Sequence, residues 1–149
     1  MTKDVQRADR VVLVGWADPI DSEDVLDMTR EIDRARQAPG GPLVAILSID
    51  QDVALLSMRV RVLLVTSLPR ILTWCSKFVL ALSPTTLRHR FVRSFFLTQA
   101  ADSRATERIQ LCDSLPEAFE YAQRLAPQQV LRIQRQMLKH AAHPEGDHD

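Results

Sequence analysis

Four short apolar runs punctuate the chain: Arg10–Trp16, Leu43–Ile49, Phe78–Leu82 and Ile109–Cys112. They are near-continuous rather than alternating, the pattern of strands covered by helices on one face or on both. Between them the apolar positions recur every three or four residues, as on a helix. Val25, Met28 or Thr29, Ile32 and Ala35 make the first stripe. Its helix opens at Asp21 or Ser22, with acids in the first turn. It stops at Ala38-Pro39-Gly40-Gly41-Pro42. A second helix begins between Asp52 and Ser57. Pro69 interrupts it, so a kink or short break is expected there, with Ser67 as a second cap.

Ser83-Pro84 reads as an N-cap followed by N1, which opens a third helix from Pro84 to about Ala100. Its expected core face is Leu87, Phe91, Val92, Phe95 and Phe96, rimmed by Arg88, Arg90 and Arg93. Ser114-Leu115-Pro116-Glu117 is a capping box, and it starts a fourth helix with a stripe of Ala118, Phe119, Ala122 and Leu125. Gln128 to about Ala142 forms a fifth helix, with Val130, Ile133, Met137 and Ala141 on one face. Residues 1–9 are polar and expected to be flexible, and 143–149 to be disordered.

The order is β-α-β-α-β-α-β-α plus one helix. It predicts an α/β fold: a small, mainly parallel four-stranded sheet with right-handed crossovers. The domain spans 10–126. The helix over 127–142 packs on that domain or on a second subunit. Gly15 in the first apolar run marks a bulge or a close backbone approach.

At 149 residues with 46% apolar content, the chain is long enough to bury one real core. Net charge is zero, so no global pull toward nucleic acid or membrane is expected. The charge is uneven, however. Arg59 to Arg108 holds nine Lys/Arg against two acids, while Asp18 to Asp52 holds nine acids against three bases. Cys75 and Cys112 have no metal-ligand spacing, which argues against a zinc site or disulfide framework and fits a reducing compartment. Neither a signal peptide nor a membrane span is recognisable, and the expected location is the cytoplasm. No cofactor is expected.

The arrangement resembles the STAS-like domains, which include bacterial anti-sigma-factor antagonists and their STAS/SEC14-fold relatives. The resemblance is carried by VVLVGWADPIDSEDV, LVAILSID with LSMRVR after it, KFVLALS, and the closing IQLCDSLPEAFEYAQRL. It implies a non-enzymatic regulatory module in bacterial signalling that acts through a protein partner. It also implies that a serine at the start of the second helix is phosphorylated. The nearest position is Ser57, with Arg59 and Arg61 beside it. The antagonist pattern Asp-Ser-Ser is replaced here by Leu55-Leu56-Ser57, which places the chain in the broader STAS-like set.

Each candidate residue has a plainer duty to set beside the functional one. Ser57 at a helix start caps that helix whether or not it is modified. Asp50 and Asp52, near a strand end, suit magnesium or phosphate chemistry, or ordinary turn duty. The cluster Arg88, His89, Arg90 and Arg93 suits an anion or an acidic partner, or a solvated face. Cys75 as a nucleophile would need a lowered pKa and a base. Trp16 and Trp74 read as core or rim aromatics.

A second reading is a small-molecule or lipid-binding domain, with a closed pocket lined by Leu64, Leu68, Phe91 and Phe95. A third is a phosphate-handling enzyme using Asp50 and Asp52. The stripe of the fifth helix, if left uncovered, would make a homodimer. Few exposed aromatics accompany the basic residues, so nucleic acid is not an expected partner.

Overall fold

The fold is that of a computed structural model, which describes residues 1–142. The expected disordered tail at 143–149 lies outside the described residues. The architecture is α/β, with one five-stranded, mostly parallel sheet and five α-helices. The strands are β1 (Thr2–Ala8), β2 (Val11–Trp16), β3 (Val44–Ile49), β4 (Lys77–Ala81) and β5 (Ile109–Cys112). They lie in sequence order across the sheet. β2 to β5 run parallel, and β1 pairs antiparallel with β2.

The fifth strand corrects the expectation of a flexible start. Thr2, Asp4, Gln6 and Ala8 turn toward the protein, while Lys3, Val5 and Arg7 stay exposed. This is a period of two written almost wholly in polar residues, as suits an edge strand. A tight turn joins β1 to β2, with Asp9 in the left-handed region (φ 53°) that a short polar side chain tolerates. Gly15 lets β1 come close, since a Cβ there would sit 3.2 Å from Asp4 Cβ.

Asp24, buried near the start of helix α1 (Ser22–Gln37), accepts from Thr2 Oγ1, the Asp21 N–H and the Met1 amine at 2.7–2.8 Å. Burial pushes its pKa up. The amine and these hydrogen bonds outweigh that and hold the carboxyl below its usual value.

Right-handed crossovers between strands in sequence order carry each connecting helix to the same face of the sheet. So α1, α2 (Met58–Trp74) and α3 (Leu87–Asp102) all cover one face, packed on Val12, Val14, Trp16, Ala45, Leu47, Phe78 and Leu80. The other face presents Val11, Leu13, Val44, Ile46, Val79 and Ala81. It is covered by α4 (Leu115–Gln123) and α5 (Pro127–Ala142), through Ala118, Phe119, Ala122, Val130 and Ile133.

The first half of the α5 stripe, Val130 and Ile133 with half-buried Met137, is therefore packed on its own sheet against β1 and β2, while Ala141 at its end stays exposed, so most of the stripe that suggested a homodimer is covered within the chain. Gln123 Nε2 donates to Gln134 Oε1 (2.9 Å), tying α4 to α5, and Arg132 pairs with Asp9 at the hairpin.

Two helix boundaries differ from expectation. α2 is one helix of 17 residues, without the break expected at Pro69. The proline ring removes the N–H that would reach the Val65 carbonyl, and Val65 lies on the exposed side, where water can replace it. Ser67 is buried and caps nothing. α3 starts at Leu87 with Thr86 as N-cap, its hydroxyl accepting from the His89 N–H (3.2 Å), so Ser83-Pro84-Thr85 becomes a connecting segment. The far end of α2 is closed by Arg108, whose guanidinium donates to the carbonyls of Leu72, Thr73 and Cys75 at 2.9–3.2 Å.

Ile133 is fully buried between α5 and the sheet, while Leu138 on the same helix is exposed. Ile133→Ala is expected to cost about 2–5 kcal/mol, and Leu138→Ala less than about 0.5. Denaturant midpoints of the two variants decide whether α5 is seated on the sheet; equal losses would place its stripe elsewhere.

Candidate functional site

Open parallel sheets bind ligands beyond the carboxyl ends of their strands, where neighbouring loops leave toward opposite faces. Here that point lies between β4, whose loop leads to α3, and β5, whose loop leads to α4 on the other face. A crevice of about 480 Å³ opens there, lined by Ser48, Asp50, Gln51, Ser83, Thr85, Asp113 and Ser114. Several of its polar groups are engaged: Thr85 donates to Gln51 Oε1, and Asp50 pairs with Lys3. Arg93 donates to the Leu82 carbonyl (2.6 Å) and to Asp113 (3.0 Å), stitching the ends of β4 and β5 together.

His89 is 2% exposed and bridges two segments. Its Nε2 lies 2.6 Å from the Gln51 carbonyl, which can only accept, so that nitrogen carries the proton. Nδ1 lies 2.9 Å from the Thr85 hydroxyl. The start of α4 is closed as well. Ser114 Oγ accepts from the Glu117 N–H, the Glu117 carboxylate accepts from the Asp113 N–H, and Pro116 has no N–H to offer. Asp113 and Glu117 also make this end acidic, which does not suit a phosphate.

Asp50 and Asp52 are not brought together as a pair of ligands. Asp50 forms an ion pair with Lys3 of β1, and Asp52 is exposed in the turn. Among the described residues no three His, Cys, Asp or Glu side chains converge as a metal site would require. Both cysteines are buried free thiols. Burial pushes Cys75 up to about 12, against weaker opposing pulls from Arg108 and Arg10. Burial, with Glu117 and Asp113 nearby, pushes Cys112 up to about 11. Neither is poised as a nucleophile. Trp16 lies in the core, and Trp74 is half-buried with Arg36 stacked over its ring at 4.9 Å.

The expected cluster Arg88, His89, Arg90 and Arg93 is split. His89 and Arg93 turn inward to the strand ends, while Arg88 and Arg90 remain exposed. The same rotation of α3 corrects its core face. Its buried positions are His89, Val92, Phe96, Gln99 and Ala100. Because a histidine and a glutamine occupy the inner row, Leu87 (65% exposed) and Phe91 (54%) are turned out, and Phe95 is half-buried.

The neighbouring helix α2 also carries an exposed apolar row, Met58 (70%), Val62 and Val65, spaced by four and three residues. Leu55, just before α2, is exposed too. Between α2 and α3 runs an open groove of about 330 Å³, lined by Leu55, Leu56, Arg61, Phe91, Val92 and Phe95. Leu64 and Leu68 lie beneath it in the core, so no closed pocket forms from the four residues named for one.

Ser57 stands at the head of this groove as N-cap of α2, exposed, its Oγ accepting from the Val60 N–H (3.2 Å). Arg59 and Arg61 follow it on the first turn, both exposed. Among the described residues Arg59, Arg61, Arg88 and Arg90 make no ion pair. From Val53 to Ala101 the chain has seven Lys/Arg and no acid at all. By contrast, the acids Asp27, Glu31 and Asp33 of α1 are each paired with an arginine three residues on. The acid-free stretch, with apolar residues on more than one side of both α2 and α3, was the sequence signal that could have marked this face. Reading Leu87, Phe91 and Phe95 as core concealed it.

No family model, no curated protein and no solved structure matches the chain.

Two outcomes are expected of these contacts. His89→Leu leaves the Gln51 carbonyl without its donor. It should lower stability by about 1–3 kcal/mol and speed amide exchange in residues 50–57; unchanged exchange there would mean the bridge is not formed. Cys75 and Cys112 should resist a thiol-specific aromatic disulfide reagent at pH 8 in the folded protein and react together on unfolding in denaturant; fast labelling of either without denaturant would contradict their burial.

Proposed function

We propose that this chain is a regulatory, non-catalytic interaction module of STAS-like fold, which docks a protein partner on the outer face of α2 and α3. The observation that carries the reading is the exposed row Leu55, Met58, Val62, Leu87 and Phe91, bordered by arginines and free of acids. Large apolar side chains exposed around a groove that Leu55 and Phe91 both line are costly to leave in water and mark an interaction site. The crevice at the strand ends supports catalysis poorly, because His89 is held by Gln51 and Thr85, Arg93 by the Leu82 carbonyl and Asp113, and Ser114 and Glu117 by the first turn of α4.

Ser57 supplies the control point. A phosphate on its hydroxyl would meet the free N–H groups and the positive end of α2, with Arg59 and Arg61 within the first turn. It would add about −1.5 to −2 charges to a face that now carries only positive ones. Phosphorylation therefore works as a switch on partner affinity. Loss of the cap alone, as in Ser57→Ala, costs about 1 kcal/mol of stability.

The lipid-binding alternative would use the same groove. At about 330 Å³ the groove is at the lower end of ligand pockets, and Phe91 remains more than half exposed. A protein surface covers such a face better than a small ligand does.

The test is site-specific photo-crosslinking in the native cells, from Val62 on this face and from Glu120 on the exposed side of α4. A discrete product from Val62 but not from Glu120, kept in Ser57→Ala and lost in Ser57→Glu, is the expected result. Products from Glu120 alone would move the interface to the other layer.

A further inference from the structure

The α2–α3 face constrains what can sit on it. Exposed apolar residues stand on both neighbouring helices, and the groove between them is lined by Leu55, Leu56, Phe91, Val92 and Phe95 with Arg61. Met58 to Val65 spans about 10 Å along α2, and Leu87 to Phe95 about 12 Å along α3, at 1.5 Å per residue. That is the length of about two helical turns. Arg61 lines the groove from the α2 side. Arg88 stands on the α3 side, three and seven residues before Phe91 and Phe95 and so on their face. Apolar floor, cationic rims and a two-turn length are the complement of one amphipathic helix with acidic flanks.

Resting on the interaction reading above, we propose that the partner reaches this face through a single amphipathic helix. It presents apolar residues at i, i+3 or i+4, and i+7 to the groove, and Asp or Glu toward Arg61 and Arg88.

Two other occupants fit less well. A second copy docked face to face would oppose Arg61 and Arg88 with the same arginines, and like charges across an interface are repulsive. A second copy offering the acidic surface of α1 would bring carboxylates already paired within that helix. An anionic membrane would satisfy the arginines, but a concave floor such as the one between Leu56 and Val92 would not reach a flat surface. The reading also gives Ser57 phosphorylation a direction: it weakens an acidic partner by adding negative charge at the head of the groove.

The experiment is selection from a displayed random library of roughly 16-residue peptides. The full chain is the bait, with counter-selection on Phe91→Asp. Phe91, Arg61 and Arg88 are all exposed, and matching denaturant midpoints will show that the variants fold. Enriched peptides should carry the i, i+3/i+4, i+7 apolar pattern and net negative charge, and should bind Phe91→Asp at least ten-fold more weakly. The double variant Arg61→Glu/Arg88→Glu should enrich peptides of the opposite charge. Enrichment without a helical pattern or an acidic bias overturns the inference, as does enrichment of nothing.

Two parallel measurements complete the test. Phe91-dependent sedimentation with phosphatidylglycerol vesicles would assign the face to a membrane, and a Phe91-dependent dimer in light scattering would assign it to a second copy. Either result overturns the helix. A Val62 crosslink whose partner segment is neither helical nor acidic would defeat this inference alone, while absence of the crosslink would defeat the interaction reading itself.

Discussion

The handedness of the crossovers is the constraint on which the rest of this fold depends. With strands laid down in sequence order, right-handed connections put α1, α2 and α3 on one face. That would leave Val11, Leu13, Val44, Ile46, Val79 and Ala81 in water on the other. Only the chain after β5 can cover them, and α4 with α5 does so. Their small and medium side chains (Ala118, Ala122, Val130, Ile133) let the helices sit close to the sheet. The last helix is thus part of the core.

The same constraint creates, and the sequence then fills, the one point where loops part to opposite faces. Arg93 joins the ends of β4 and β5, and His89 hooks the loop after β3 to the start of α3. Both are polar residues placed where a helix facing a sheet ordinarily carries apolar ones. Buried polar groups persist only when satisfied, and these are satisfied by strand-end carbonyls. The consequence reaches the surface. With His89 and Gln99 in the inner row, the large side chains Leu87 and Phe91 are rotated into solvent beside the exposed row of α2. The bridged strand-end crevice and the exposed apolar residues of the α2–α3 face are two results of one helix rotation.

Much of this was legible in the residues. Continuous apolar runs located β2 to β5, and the Ser114–Glu117 capping box located α4, because those signals arise within a few residues. β1 was missed because its alternation is written in polar residues, and only pairing with β2 makes a strand of it. The break expected at Pro69 did not form. Tertiary packing of Leu64, Leu68, Ile71 and Leu72 outweighs one missing hydrogen bond at an exposed carbonyl. The face of α3 was misjudged because five apolar residues there spread over more of the helix than the sheet can cover.

By itself the sequence determined the alternation of strands and helices, the caps Ser57 and Ser114, and a middle segment poor in acids. These are local properties, set by side-chain period, hydrogen-bonding chemistry and charge. The tertiary structure decided which side of each helix meets the sheet. It turned His89 and Arg93 inward, buried Val130 and Ile133 of α5, and left Met58, Val62 and Phe91 outside. That choice rests on competition between distant segments for one limited apolar surface, which no local pattern encodes.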